Sequence, residues 1–341
     1  MFKFFVTGGA GFIGSAFINL LLEANPFCEI RNFDALTYAG NLDNLRDVDP
    51  KRHRFIRGDI ADRAAVVAAL PDNTDAIINF AAESHVDRSI ASAGEFIRTN
   101  VLGTQVLLDA ARERGVRRFV QISTDEVMGS LPEEEQAYFT EDSPFAPNSP
   151  YAASKAAAEH LVRAAHHTFG LDTVITRCGN NYGPRQFPEK FLPLMLSNAF
   201  NNEPIPVYGD GRNVRDWIYV EDHCRGILLA LQKGQPGSLF NFGARNERRN
   251  IEVAESILEA VGKPRSLIRF VKDRPGHDRR YAIDPSLAEA ELGWRPLETW
   301  ESGLRKTITW YKENTQWIER ARSGAYREYY QQQYGTEVGT A

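Results

Sequence analysis

Cysteine is scarce. Cys28, Cys178 and Cys224 are the three in 341 residues, and they show neither paired nor metal-ligand spacing, so no disulfide framework is expected and free thiols point to a reducing compartment. A long apolar run is missing as well, which argues against a membrane span. The first strand pattern has no basic flank or cleavage region ahead of it, which argues against a signal peptide. A cytoplasmic protein without a membrane partner is the expectation. Charge of one sign is not in excess. A net charge of −5 gives no electrostatic reason to expect a nucleic-acid partner, and an anionic ligand would have to be held by local donors. Repeats and low-complexity segments are absent. His166 and His167 have no further ligands at suitable spacing, so no metal is expected.

What is present is a long chain with a strand and helix rhythm. At 341 residues it exceeds the size at which a single core stops growing, so two lobes around a cleft are expected. Residues 2–6 read as a buried strand, Gly8, Gly11 and Gly14 break it, and 13–24 read as a helix. Strand, glycine turn and helix form a phosphate-binding arrangement, because small residues let the backbone approach a pyrophosphate and the helix start offers free N–H groups. A second strand ends in Asp34, where a carboxylate would bind ribose hydroxyls and repel a 2′-phosphate. That favours NAD over NADP, although the same aspartate could simply cap its loop. Strands at 53–57, 75–80 and 118–123 and helices at 61–70 and 93–114 continue the alternation. The fold class expected is α/β, a Rossmann-type doubly wound parallel sheet with a smaller C-terminal α+β substrate-binding lobe. The expected boundaries are 1–180 for the NAD-binding domain, with some later segments returning to it, 181–315 for the second lobe and 316–341 for a tail.

Ligands should bind just after the strands. His85 follows the fourth strand and, taken alone, reads as a polar loop residue rather than a ligand. Asp125 and Glu126 follow the fifth, and adjacent acids at the buried end of an apolar strand cost desolvation unless they have partners or work to do. Tyr151 and Lys155 stand four apart in a helix pattern, so phenol and ammonium share a face. An ammonium close to the phenol favours the phenolate and lowers a pKa that starts at about 10. Such a pair is common on exposed helices, and it becomes a candidate base in the company of the strand-end acids. Ile251 to Val261 reads as a helix, with Asn250 suited to be its N-cap. Trp310, Tyr311 and Trp317 read as packing aromatics.

Taken together, TGGAGFIGS (7–15), DALTYAGNL (34–42), GDI (58–60), AAESHVDRSI (81–90), STDEV (123–127), SPYAASK (149–155), RCGNNYGPRQFPEKFLP (177–193), PVYGDGRNVRDWIYVEDH (206–223), NERRN (246–250) and DRPGHDRRYAID (273–284) make the chain resemble the extended short-chain dehydrogenases/reductases, and within them the dTDP-glucose 4,6-dehydratases. The likeness runs from about residue 2 to 315. It implies that Tyr151, helped by Lys155 and Thr124, takes the proton of a sugar 4-hydroxyl while NAD oxidises carbon 4. Glu126 then acts as base at carbon 5 and Asp125 as acid at the carbon 6 hydroxyl, before carbon 6 is reduced. Neighbouring acids push their pKa values apart, which suits one protonated and one ionised carboxyl.

The resemblance also implies a cofactor site of Phe12, Ile13, Asp34, Ala35, Leu36, Thr37, Asp59, Ile60, Ala81, Ala82, Glu83, Ser84, Thr99, Tyr151, Lys155 and Asn181, added to the three glycines. It implies a nucleotide-diphosphate sugar site of His85, Thr124, Asn180, Lys190, Phe191, Pro206, Val207, Tyr208, Arg215, Asn250, Asp273, Arg274, Pro275, Gly276 and His277. Arg215 suits a diphosphate clamp, with a surface ion pair to Asp216 or Asp222 as the bland reading. A homodimer through a four-helix interface, from helices near 95–113 and 151–169, is likewise implied. Two positions depart from the family pattern. Met128 replaces a tyrosine, which removes a hydroxyl beside the sugar, and Gly179 replaces a serine, which enlarges the space there. The alternatives are a UDP- or other nucleotide-sugar dehydratase that stops at a 5,6-ene, a nucleotide-sugar epimerase, or a non-catalytic NAD-binding regulator.

Overall fold

A computed structural model of the chain describes residues 1–133 and 136–321. The expected tail beyond residue 321 lies outside them. The first half alternates as read: β1 (Phe2–Thr7), α1 (Phe12–Ala24), β2 (Cys28–Asp34), β3 (His53–Arg57), α2 (Arg63–Ala69), β4 (Ala76–Asn79), α3 (Val86–Ala91), α4 (Gly94–Phe96), α5 (Thr104–Glu113), β5 (Arg118–Ile122), α6 (Pro150–Phe169) and β6 (Thr173–Cys178). The second half holds β7 (Asn180–Tyr182), α7 (Phe191–Phe200), β8 (Ile205–Tyr208), β9 (Val214–Tyr219), α8 (Val220–Lys233), β10 (Leu239–Phe242), β11 (Glu247–Arg249), α9 (Asn250–Val261), β12 (Ile268–Val271), α10 (Ser286–Leu292), α11 (Trp300–Glu313) and α12 (Thr315–Ala321).

Seven strands form one sheet in the order β10-β6-β5-β4-β1-β2-β3, and every pairing in it is parallel. Parallel strands need crossovers, and helices supply them on both faces. One apolar core lies between the sheet and α1, α8 and α10, around Phe17, Leu21, Ile227 and Trp294. The other lies under α2, α5 and α6, around Phe5, Leu107, Phe119 and Val162. Strand order reverses between β1 and β4, and at such a switch point the two crossovers diverge and leave a crevice above the strand ends. β10 returns to the first sheet after the chain has already built β7 to β9. The second lobe has a separate core of Trp217, Ile257, Trp300 and Tyr311, with small sheets β11-β9-β7 and β12-β8.

Three local readings change. The helix expected over 61–70 starts at Arg63, because the Asp62 side chain accepts from Ala65 N–H at 3.1 Å and so caps it. The helix expected over 93–114 contains a π-helical turn, Ile97–Gly103. Asn250 is not an N-cap: Arg249 holds that position, and its N–H is taken by Glu252 Oε2 at 2.8 Å, which leaves the Asn250 side chain to the cleft.

Candidate active site

The crevice begins at the glycine turn. Gly8 has φ +67°, and a Cβ there would lie 2.6 Å from the Ala81 nitrogen. A Cβ on Gly14 would lie 2.4 Å from the Gly8 carbonyl oxygen, so only glycine lets the turn and the helix start close together. α1 has no side-chain cap and no acid in its first turn, so its free N–H groups and positive dipole end face the crevice. Asp34 accepts from Ala10 N–H at 2.9 Å and Leu36 N–H at 2.8 Å. It therefore caps its loop and also borders the cavity, and the two readings of this residue coexist. Glycine cradle, uncapped helix start and strand-end carboxylate fit the pyrophosphate and ribose of a dinucleotide.

The cavity at this point measures about 460 Å³. Of the residues expected to line the cofactor, all but Leu36 border it. Leu36, at φ +54°, packs instead on the core beneath α1. The sequence reading omitted Arg98, which also borders the cavity and donates to Asp59 Oδ2 at 2.5 Å; a helix-surface arginine carries no local signal. Asn100 was missed too. It donates to Ser154 Oγ at 2.8 Å and exchanges hydrogen bonds with the Glu83 backbone at 2.9 and 3.0 Å, so the widened π turn ties the cavity floor to α6.

At the inner end of the cavity β5 leads into a short 3₁₀ turn, Asp125–Met128, in which Glu126 N–H donates to Thr124 Oγ1 at 3.4 Å. The turn buries Asp125 to 2% exposure, while Glu126 is half-buried and borders both this cavity and the next. Burial drives the Asp125 carboxyl well above its ordinary value, and the charge of Glu126 adds to the rise. Burial also raises Glu126, but Arg274, Arg215 and Lys190 draw it back. Both acids are thus raised, Asp125 the more strongly, while the cations hold Glu126 back toward the ionised form.

Tyr151 and Lys155 stand on α6 beside them, both buried. The expected relation between the two is not the one observed. Lys155 Nζ donates to the Ile122 carbonyl at 2.6 Å, and burial lowers its pKa to about 8. The Tyr151 phenol is held well above 10, by burial first and Glu126 second, with the Thr124 hydroxyl opposing. Loss of water disfavours the phenolate, and the Lys155 ammonium, turned to the Ile122 carbonyl, does not offset it.

A second cavity of about 160 Å³ opens toward the C-terminal lobe, and Ser84, Glu126, Asn180, Asn181, Gln186 and Lys190 border both. His85, Phe191, Pro206, Tyr208, Arg215, Asn250, Arg274 and His277 border it as well. Arg215 stacks on the Tyr281 ring at 4.3 Å and donates to the carbonyls of Val214 and Asp278. It pairs with neither Asp216 nor Asp222 among the described residues. Arg274 reaches Asp87 at 3.3 Å and keeps its buried Nε without a partner. Lys190 donates to the Ser84 carbonyl at 2.6 Å. Three cations, only one of them facing a carboxylate at close range, suit a diphosphate. Burial lowers His277 to about 4 and pushes His85 well below its usual value, so both imidazoles are neutral.

Five expected residues lie off this second lining. Thr124 borders the larger cavity, and Val207 is fully buried in the lobe core. Asp273 meets His277 Nδ1 at 2.6 Å, and Pro275 and Gly276 shape the turn that presents His277. Asp87 and Glu189 were not foreseen. Glu189 is fixed by Arg88 at 3.1 and 2.8 Å, and Asp87 accepts from the Tyr208 hydroxyl at 3.2 Å.

The two departures from the family pattern also resolve differently. Met128 borders neither cavity; it is 3% exposed, packs with Val127, Phe139 and Tyr281, and meets Arg177 Nη1 at 3.3 Å. A Cβ on Gly179 would point at the Asp216 carbonyl oxygen, 2.6 Å away, so glycine there relieves a backbone contact and does not enlarge the sugar space.

With this geometry in place, a family model described as GDP-mannose 4,6 dehydratase matches residues 5–307. The chain belongs to that family. It is 51% identical to the dTDP-glucose 4,6-dehydratase of Xanthomonas campestris pv. campestris strain B100, over 96% of this chain and 98% of that one. Among solved structures it is similar to the dTDP-glucose 4,6-dehydratase DesIV of Streptomyces venezuelae with NAD and TYD bound, at TM-score 0.90 and 50% identity, covering 94% of this chain and 99% of that one. The dTDP-glucose 4,6-dehydratase of Bacillus anthracis in complex with NAD matches at TM-score 0.86 and 43% identity, over 94% and 100% of the two chains.

Proposed function

We propose that this chain is an NAD-dependent dTDP-glucose 4,6-dehydratase, forming dTDP-4-keto-6-deoxyglucose. The observation that carries the reading is the adjacent pair of buried Asp125 and half-buried Glu126 at the junction of a dinucleotide-shaped and a diphosphate-shaped cavity, next to Tyr151. An epimerase or a simple dehydrogenase needs the phenol and the lysine but has no task for two acids in opposite protonation states.

The glycine turn, Asp34, Asp59 and Thr99 would hold NAD, which would supply the acceptor for the electron pair of carbon 4 and its donor for carbon 6. Tyr151, as the phenolate, takes the proton of the 4-hydroxyl, steered by the Thr124 hydroxyl; the positive charges of bound NAD and of the Lys155 ammonium would favour that form. The resulting 4-ketone acidifies the hydrogen on carbon 5. Glu126 is the better base of the two acids and removes that hydrogen as a proton. Asp125, held protonated by burial, passes its proton to the carbon 6 hydroxyl, and water leaves. Glu126 returns its proton to carbon 5 as carbon 6 is reduced, and the proton gained by Tyr151 restores Asp125. Substrate loses one water and the cofactor ends as it began. General acid and base help of this kind contributes about 10²–10⁴-fold per group.

Arg215, Arg274 and Lys190 are assigned to the diphosphate, since among the described residues no carboxylate pairs with the planar fork of Arg215. The alternative that stops at a 5,6-ene draws no support from Met128, which lies in the core. A homodimer fits the exposed Ile97, Leu102 and Phe169 on the π turn and α6, apolar side chains that a four-helix interface would cover. Light scattering should then give twice the 38.4 kDa chain mass. A cytoplasmic site of action agrees with three buried free thiols. The function is tested by offering dTDP-, UDP-, GDP- and ADP-glucose with NAD and weighing the products. Loss of one water with a ketone at carbon 4, fastest for dTDP-glucose, is expected. An unchanged mass with all four overturns the reading.

A further inference from the structure

α12 lies beyond residues 5–307, the span of the family model, yet it is wired to the glycine turn. Trp317 is 5% exposed and donates its indole N–H to Asn44 Oδ1 at 2.9 Å. Asn44, 3% exposed, donates its amide to the Ala10 carbonyl at 2.9 Å, which also accepts from Asn41 N–H at 3.0 Å. Ala10 N–H in turn donates to Asp34 Oδ2 at 2.9 Å. Ala10 sits inside the turn, between Gly8 and Gly11.

The direction of this relay is fixed by chemistry. An indole can only donate, so the amide must present its oxygen to Trp317 and its NH₂ to Ala10. Without the indole the amide can rotate and offer oxygen to a carbonyl, which repels. The ring itself is anchored edge-on against Trp310, with centroids 5.2 Å apart, and Arg320 reaches Asp43 Oδ2 at 2.9 Å beside it.

We propose that Trp317 is a positioning residue for the dinucleotide. Through Asn44 it holds the Ala10 peptide, and with it the glycine turn and the Asp34 carboxylate, in the shape that receives pyrophosphate and ribose. The helix that carries it therefore sets how tightly the cofactor is retained. This rests on the dinucleotide reading of the larger cavity.

The test uses the full chain stripped of cofactor, with NAD and dTDP affinities measured by calorimetry. Trp317→Phe keeps the ring and loses the donor; Asn44→Leu keeps the volume and loses the relay. Each is expected to weaken NAD about three- to tenfold, the worth of a buried neutral hydrogen bond, while dTDP affinity stays at the parent value. The double variant should be no weaker than Asn44→Leu alone, because both act through one relay. NAD affinity within twofold of the parent in Trp317→Phe, or fully additive losses in the double variant, overturns the proposal. A parent chain that binds no NAD overturns the dinucleotide reading, and this proposal with it.

Discussion

Asp125 and Glu126 are adjacent in sequence and differ in what surrounds them. Burial, Glu126 and Asp216 raise Asp125 with Arg215 and the Thr124 hydroxyl opposing, whereas burial and Asp278 raise Glu126 against three cations, Arg274, Arg215 and Lys190. Replacing Asp125 by Asn should lower dehydration about 10²–10⁴-fold, yet leave Glu126 able to exchange the carbon 5 hydrogen with solvent deuterium. Replacing Glu126 by Gln should abolish that exchange, and nuclear magnetic resonance of the recovered sugar reads both. Lys155 carries a different signature. Its pKa falls from 10.5 to about 8 on burial, so below about pH 8 the folded chain shelters a charge that the unfolded chain solvates. That cost is present at pH 7 and disappears as pH rises through 8 to 10.5, so stability on this account increases with pH across that window. A shift of this size corresponds to about 3 kcal/mol, less about 1 for the lost bond to the Ile122 carbonyl. Lys155→Met should therefore inactivate the protein and raise its Tm at pH 7 by a few degrees, with a smaller gain at pH 10.

At the scale of elements, the glycine turn depends on backbone contact and tolerates no side chain at its closest points. Gly14→Ala would push a methyl carbon to 2.4 Å from the Gly8 carbonyl oxygen, and relieving it must open the turn or tilt α1. Overpacking of this sort costs about 1–3 kcal/mol, so NAD should bind about five- to 150-fold more weakly by calorimetry while dTDP affinity is kept. The turn, the strand-end acids and the α6 pair were legible because periodicity and spacing place them without knowledge of the third dimension. The π turn was not, since its widened geometry serves Asn100, whose partners Glu83 and Ser154 come from other elements. Met128 and Gly179 show the same limit: which way a loop residue points is decided by Arg177 and by the Asp216 backbone, neither of which is local in sequence. Trp317 read as packing, and only its distance to Asn44 gives it a second task.

For the whole molecule, the switch point between β1 and β4 and the return of β10 to the first sheet bring two cavities edge to edge. Six residues border both, so a sugar whose diphosphate lay in the smaller cavity would present its carbons to the acids and to the cofactor cavity at once. Such proximity allows an electron pair to be taken from one carbon and given back to another within a single bound substrate. The direct test is dTDP-glucose deuterated at carbon 4, turned over in ordinary water and analysed by mass spectrometry and nuclear magnetic resonance. The account predicts a product one water lighter that carries the deuterium at carbon 6. Deuterium remaining at carbon 4, or lost to solvent with no water eliminated, would contradict it.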